Sequence, residues 1–223
     1  MNDKSLSAAI LSVVEGLLVV LLICPALAFA QDPNSFSLPR PQMEGGKPLM
    51  QALKERKTSR EFSSENLSRQ TLSNLLWAAN GINRPDSKKH TAPTAMNCQE
   101  IDIYVALSDG LYIYDANAHA LNLVLKQDIR SATGPQPFVK DAPVNLVYVS
   151  DYSKMSRASD EDKVFYSATD TGFISQNVYL FCASEGLATV VRGYVDRPAL
   201  AKVMKLRDNQ KIILAQTVGV PKK

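Results

Sequence analysis

The chain has 223 residues, with 25 Lys or Arg against 22 Asp or Glu, which gives a formal net charge of +3. This length favours a single domain once an N-terminal segment is removed, and the lack of a long cationic run argues against nucleic-acid binding. Three cysteines, two histidines and no Cys-x-x-Cys pair argue against a dedicated zinc or iron–sulfur site.

The first thirty residues are typical of an export signal. Residues 8–23 are nearly all apolar, and Ala28-Phe-Ala30 supplies a small-x-small cleavage pattern. A signal peptide over residues 1–30 predicts an exported protein, periplasmic or extracellular, whose mature chain begins at Gln31 and has no stable membrane association. The alternative is an uncleaved membrane anchor through residues 8–27, because this run approaches the length of a membrane span.

The segment after the signal begins with little regular structure. Residues 31–47 are rich in Pro, Ser, Asn and Gly, which predicts an extended leader. A short helix is predicted over Pro48–Arg56. Ser68 can cap a second helix that ends at Gly81. Residues 82–100 are predicted to form a polar loop.

The remainder of the chain predicts a sheet with helices around it. The predicted strands are Ile101–Leu107, Leu111–Tyr114, Val144–Val149, Thr189–Val191 and Ile212–Val218. Ser108–Gly110 is predicted as a hairpin turn, and His119–Leu125 fits either a helix or a strand. Residues 151–163 are predicted as a loop or helical lid, and Ala168–Glu185 as a long, largely buried helix. Helices packed around a mixed, mainly antiparallel sheet define an α+β fold.

The first polar motif is Arg56-Lys-Thr-Ser-Arg-Glu-Phe62, which we call the cationic segment. Arg56, Lys57 and Arg60 supply three cations, and Thr58 supplies a hydroxyl. A buried phosphate needs such groups, because a buried dianion must be paired. Arg56 and Arg60 share one face if the preceding helix continues through them. The alternative is a charged helix end that only contacts solvent.

The second motif is the loop Thr91–Gln99, which precedes a predicted strand. Asn97 and Gln99 can each donate and accept hydrogen bonds, so they fit the polar edge of a planar cofactor. The alternative is a surface loop in which Pro93 and Asn97 only make turns.

Two further segments complete the set. In Gly186–Gly193, a helix ends at glycine and a short strand leads to a second glycine, so the backbone can approach a ligand closely. An ordinary helix-to-strand connection is the alternative. The C-terminal Val218–Lys223 carries two lysines that could reach a phosphate, although terminal lysines are commonly solvated.

The order of these segments resembles the nitroreductase family of flavoproteins. The matching stretches are Arg56–Phe62, Pro93–Gln99, Gly186–Thr189 and Val218–Pro221. The resemblance extends from about Pro48 to Lys223. Three other stretches are most similar to the branch that includes azoline dehydrogenases, which oxidise thiazoline or oxazoline rings in peptide natural products. These stretches are Leu76–Arg84, Gly110–Asp115 and Ser175–Tyr179.

The resemblance implies a nitroreductase-like fold over residues 48–223, with FMN as the cofactor. It implies that phosphate and ribityl are held by Arg56, Lys57, Thr58 and Arg60, with Lys222 or Lys223 as a late phosphate contact. The loop residues expected to run along the cofactor are Pro93, Thr94, Ala95, Asn97 and Gln99; Ala95 stands where serine is commoner. The backbone expected near flavin N5 is that of Val190, Val191, Arg192 and Gly193.

The resemblance also implies a homodimer with the flavin at its interface, and the helix Ala168–Glu185 carries apolar surface that suits pairing. Hydride is then expected to pass through flavin N5 to or from a small organic substrate. Tyr166, Tyr179 and His119 are candidate catalytic residues only. Export separates the protein from cytosolic nicotinamide cofactors, so the electron donor need not be NAD(P)H. The alternative function is that of an exported, non-catalytic flavin-binding protein or degenerate structural homologue.

Overall fold

The computed structural model describes residues 35–222, and a seven-stranded antiparallel sheet forms its centre. The predicted signal peptide, residues 1–30, lies outside the described residues. The strands are β1 (Ser35–Ser37), β2 (Ile82–Arg84), β3 (Lys89–His90), β4 (Ile101–Leu107), β5 (Gly110–Asp115), β6 (Ala120–Leu125), β7 (Val144–Asp151), β8 (Ala188–Arg192) and β9 (Gln210–Gly219). The helices are α1 (Leu49–Glu55), α2 (Arg69–Asn80), α3 (Asp160–Glu185) and α4 (Arg197–Val203). The predicted α+β class is confirmed.

The sheet has the strand order β1-β6-β5-β4-β7-β9-β8, and β2 and β3 form a separate hairpin. Strand β7 lies between β4 and β9, and all its residues are buried. Tyr148 faces a core shared with Leu75 of α2 and Val178 of α3. Val147 faces the opposite core, which contains Leu200 of α4. Because both faces of β7 are covered, its sequence is an apolar run without a polar alternation.

Helix α3 crosses one face of this sheet and begins earlier than the sequence pattern predicts. Ser159 caps it by accepting a hydrogen bond from the Asp162 amide at 3.1 Å, and three acidic residues in the first turn favour the positive end of the helix dipole. Of the two alternatives predicted over residues 151–163, the loop is therefore wrong beyond residue 159, where the chain is helical. The first helical turns are exposed and charged, so they show no apolar period.

Three other details differ from the predictions, and one alternative left open by the sequence is settled. The polar loop over residues 82–100 is interrupted by the β2–β3 hairpin. The extended leader contains β1, which pairs with β6. His119–Leu125 is resolved in favour of a strand, because β6 pairs with β5 as well as with β1. Helix α4 was not predicted, since seven residues are too few for a clear helical period.

Among residues 35–222, no helix combines the length and the apolar character that a membrane span requires. No cluster of His, Cys, Asp or Glu within the same residues could hold a metal ion. Cys182 is buried in the core that α3 shares with the sheet and packs there as a small hydrophobic residue.

Candidate functional site

The cationic segment runs as extended chain along the outer edge of β8. Helix α1 ends at Glu55, and Arg56 has ψ of 119°, outside the helical region. The prediction that Arg56 and Arg60 share a helix face is therefore wrong. Instead, the Ser59 amide donates to the Thr189 carbonyl at 3.0 Å. This bond covers part of the strand edge, which would otherwise present unpaired backbone groups.

The C-terminal segment joins the same edge. Phe62 forms an isolated antiparallel bridge with Pro221, and the Lys222 amide donates to the Glu61 carbonyl at 3.2 Å. Phe62 is buried against Val190 of β8. Three of the four segments that the sequence singled out therefore meet at one place, although they are distant along the chain.

Tyr179 of α3 connects these segments through its phenol. The Val191 amide donates to Tyr179 Oη at 3.0 Å, and Tyr179 Oη lies 3.0 Å from Thr58 Oγ1. The Arg56 guanidinium carbon lies 5.3 Å from the centroid of the Tyr179 ring, within the range of a cation–π contact. One side chain thus ties the central helix to the cationic segment and to the edge strand.

The cations at this junction have no acidic partner. Arg56, Lys57, Arg60 and Lys222 form no ion pair within residues 35–222. Lys57 and Lys222 line a cavity of about 550 Å³ beside Tyr179 and Thr189. Arg60 and Lys222 also line an adjoining hollow of about 480 Å³. Glu55 and Glu61 line the first cavity, and Glu61 and Asp141 line the second, but none of them pairs with these cations. Unpaired cations beside backbone and hydroxyl donors are groups that can bind a phosphate.

The β8 segment contributes its backbone and not its cation. Val190 is buried, and Gly193 is exposed where the strand ends. Arg192 turns its side chain away into the protein, where it is 4% exposed and donates to the Thr133 carbonyl at 2.6 Å and to Asn145 Oδ1 at 3.1 Å. Burial lowers the pKa of Arg192 to about 10, so it remains a cation at neutral pH. Its guanidinium fastens β8 to neighbouring loops.

The loop Pro93–Gln99 lies at another part of α3. The Ala95 amide donates to Asp170 Oδ2 at 2.8 Å, and Thr94 Oγ1 donates to Glu100 Oε2 at 3.1 Å. These groups hold the loop against the protein. Asn97 and Pro93 are exposed, whereas Gln99 is half-buried and donates to the Lys88 carbonyl at 2.8 Å.

The loop and the cationic segment are separated along the helix that both contact. Asp170 precedes Tyr179 by nine residues on α3, which corresponds to about 13.5 Å at the helical rise. No hydrogen bond joins the two segments within residues 35–222. The two segments therefore contact α3 at different turns.

The three candidate catalytic residues have different surroundings. His119 accepts or donates at 2.9 Å to Tyr114 Oη and at 2.7 Å to Ser73 Oγ, on the far side of α2 from the cations. Burial lowers the pKa of His119, so it is neutral at pH 7. Tyr166 is half-buried near the start of α3. Only Tyr179 lies among the converging segments.

Sequence reasoning missed Glu100 and Asp170, which anchor the loop. Each carboxyl is almost fully buried, with 0% exposure for Glu100 and 2% for Asp170. The available signal was an acidic residue immediately before an apolar strand and another within the apolar helix. Such residues are rarely buried unless they have partners.

The fold and the converging segments are typical of an oxidoreductase, and comparison with known proteins identifies the family. The model of the Nitroreductase family matches residues 53–220, so the chain belongs to the nitroreductase family. Members of this family are oxidoreductases that typically carry a flavin.

Individual relatives agree with this assignment. A Methanocaldococcus jannaschii protein provisionally named a nitroreductase is 28% identical over 170 residues, covering 72% of this chain and 85% of its own. A crystal structure of a Ralstonia eutropha protein with the same provisional description is 42% identical, with a TM-score of 0.82 over 85% of this chain and 90% of that one. A chain of the E. coli microcin synthetase McbBCD complex has a TM-score of 0.66 at 20% identity, covering 87% of this chain and 80% of that one. This last likeness shows the fold alone.

The Tyr179 hydroxyl can be tested by the Tyr179→Phe variant. Removing it leaves the Val191 amide without its acceptor, so we expect faster hydrogen exchange at Val191 and a loss of about 1 kcal/mol in the free energy of unfolding. Hydrogen exchange and urea unfolding measure the two effects. Tyr166→Phe is the matched control, since its hydroxyl makes no hydrogen bond within residues 35–222. Unchanged exchange at Val191 would exclude Tyr179 as the connecting residue.

Proposed function

We propose that the protein is an FMN-dependent oxidoreductase that transfers hydride through flavin N5 to or from a small organic substrate. The observation that carries this proposal is the meeting of three of the matched segments at the edge of β8, where Lys57, Arg60 and Lys222 line adjoining cavities and form no ion pair within residues 35–222. Membership of the nitroreductase family supports the cofactor and the reaction class.

The residues present fit a bound FMN. The four cations would hold the phosphate, because charge-assisted bonds to guanidinium and ammonium groups offset the loss of its hydration. Thr58 has a hydroxyl beside Tyr179 that can reach the ribityl chain. The backbone from Val191 to Gly193 follows at the strand edge, is exposed at Gly193 and would face the ring.

When bound, FMN supplies the hydride chemistry, and the protein supplies position and charge. Tyr179 fixes the orientation of the Val191 amide and thereby the edge of β8. The Arg192 cation lies beneath that edge without a carboxylate, since it donates to neutral oxygen atoms. A fixed buried cation favours a nearby anion such as a reduced flavin ring.

We propose further that the protein acts as a homodimer paired through α3. The exposed face of α3 carries Phe165 at 63% and Phe173 at 48% exposure, with Ala168 and Gly172 between them. Such an apolar stripe on a central helix is typical of an interface. Two antiparallel α3 helices would bring the loop of one copy towards the cationic segment of the other, which offsets the separation of about 13.5 Å within one chain.

We also propose that residues 1–30 direct export, so that the electron donor is a compound other than NAD(P)H. Residues 1–30 provide the support for this part, through their apolar run and cleavage pattern. A non-catalytic flavin-binding protein is the second candidate. The hydrogen bond from Thr94 to Glu100 favours this second candidate, because it directs a loop hydroxyl away from any cofactor.

The function is tested on the purified mature protein. We expect a yellow protein with an FMN-like spectrum that is bleached reversibly by a suitable reductant and reoxidised by a small organic acceptor. NAD(P)H under anaerobic conditions should bleach it slowly or not at all. A colourless protein that FMN cannot reconstitute would contradict the proposal. A yellow protein that no reductant bleaches would favour the non-catalytic alternative, and rapid bleaching by NAD(P)H would contradict the proposed donor.

The phosphate site is tested by the double variant Arg56→Ala and Arg60→Ala. Each charge-assisted contact contributes about 1.5–3 kcal/mol, so FMN should bind at least a hundredfold more weakly. Fluorescence titration of FMN with apoprotein measures this change. Arg157→Ala is the control, because Arg157 is exposed and lies outside the converging segments. Equal FMN affinity in the double variant and the control would remove Arg56 and Arg60 from the site.

The shared site is tested by complementation between two inactive variants. One carries Arg56→Ala with Arg60→Ala, and the other carries Asn97→Ala with Gln99→Ala. If each pocket takes its loop from the partner copy, a co-expressed heterodimer has one intact pocket and one doubly altered pocket, so it should recover about half of the FMN content. Each variant expressed alone is the control. No recovery in an isolated heterodimer would place both segments of a pocket on one chain.

A further inference from the structure

Two carboxyl groups lie buried beneath the Pro93–Gln99 loop. Glu100, at the start of β4, is 0% exposed, and Asp170 of α3 is 2% exposed. Burial raises the pKa of Glu100, and the neighbouring Asp170 raises it further. Two adjacent buried carboxylates cannot both be ionised without a large cost in energy. Both effects favour the protonated form of Glu100.

One atom of the pair gives independent support for this proton. Glu100 Oε1 is buried without a hydrogen-bond partner within residues 35–222. An ionised oxygen in that state would be strongly unfavourable. A proton on Glu100 removes part of this cost, because it lowers the charge of the pair.

The loop above the carboxyl pair has an unfavourable backbone. Met96, Asn97 and Gln99 have φ of 52°, 55° and 49°, in the left-handed region that residues with a side chain rarely adopt. Such a conformation persists only where the surroundings hold it. The loop is therefore expected to relax if its attachments are removed.

The attachments lead to the two carboxyls. Asp170 Oδ2 accepts from the Ala95 amide at 2.8 Å. Glu100 Oε2 accepts from Thr94 Oγ1 at 3.1 Å, and the same hydroxyl oxygen accepts from the Gln99 amide at 3.1 Å. Each carboxyl thus holds one end of the left-handed stretch.

We propose that Glu100 and Asp170 are positioning residues that hold the loop in the conformation that presents Asn97 and Gln99 to the cofactor. The part concerning the cofactor rests on the proposed function. The part concerning the loop does not, because it depends only on contacts within the chain. Neither carboxyl needs to touch the flavin.

A proton on Glu100 makes the attachment sensitive to pH. Cys98 of the loop faces both carboxyls, because both raise the pKa of its thiol, and Arg157 of the segment before α3 lies near that thiol. Lys154 nearby is engaged by Asp102 of β4. A carboxyl that keeps its proton in the folded state favours folding less as pH rises, because the unfolded chain releases that proton first. The loop should therefore loosen as pH rises towards the point where that proton leaves.

Hydrogen exchange at the amides of Ala95 and Gln99 in the mature protein tests the proposal. Exchange is expressed as protection factors, which remove the intrinsic effect of pH. At pH 7, the protection factors of Asp170→Ala should be about tenfold lower than those of the wild type. Asp170→Asn should restore protection, since its amide oxygen can accept from Ala95. Wild-type protection should fall as pH rises above the usual carboxyl range, whereas Glu100→Gln, which has no proton to lose, should keep it.

Asp151→Asn is the matched control, because Asp151 is a buried carboxylate on β7 whose partners are Arg207 and Asn209. Wild-type protection in Asp170→Ala, or equal pH profiles in wild type and Glu100→Gln, would overturn the proposal. FMN titration of the same variants separates its two parts. Loss of protection in Asp170→Ala with unchanged FMN affinity would overturn the role towards the cofactor. If the wild type binds no FMN, the proposed function fails while the exchange data still test the attachment of the loop.

Discussion

The edge of β8 is the constraint on which the candidate site depends. An edge strand presents backbone groups that need partners. Here the Ser59 amide donates to the Thr189 carbonyl, and the Val191 amide donates to the Tyr179 phenol. These bonds fix an otherwise irregular segment in an extended conformation. They also place its cations beside Lys222 of the C-terminal segment. The anion-binding character of the site therefore arises from how the sheet terminates.

Helix α3 sets the spacing of the functional segments. It contacts the loop through Asp170 and the cationic segment through Tyr179, two turns and a half further along. Because a helix is rigid over this length, the two segments cannot close on each other within one chain. The same helix leaves an apolar face uncovered, so the spacing and the exposed face both favour a shared site.

The sequence pattern predicted two kinds of element: a helix with its own capping residue and apolar stripe, and strands that the sheet buries. The strands β4, β7 and β9 are apolar runs because the sheet buries them, and α2 has both a cap at Ser68 and an apolar stripe. The pattern failed at α4 and at the first turns of α3, where packing against the rest of the fold stabilises helices that have little period of their own. The hairpin of β2 and β3 was missed for the same reason.

The sequence by itself determined the fold class, the family and the identity of the four candidate segments, because short-range spacing and composition carry that information. Only the tertiary structure decided how the segments are arranged. It joined three of them at β8, turned the Arg192 side chain inward and placed the loop over two buried carboxyls. Such outcomes depend on contacts between residues far apart in the chain, and the burial that shifts a carboxyl pKa exists only after the chain has folded.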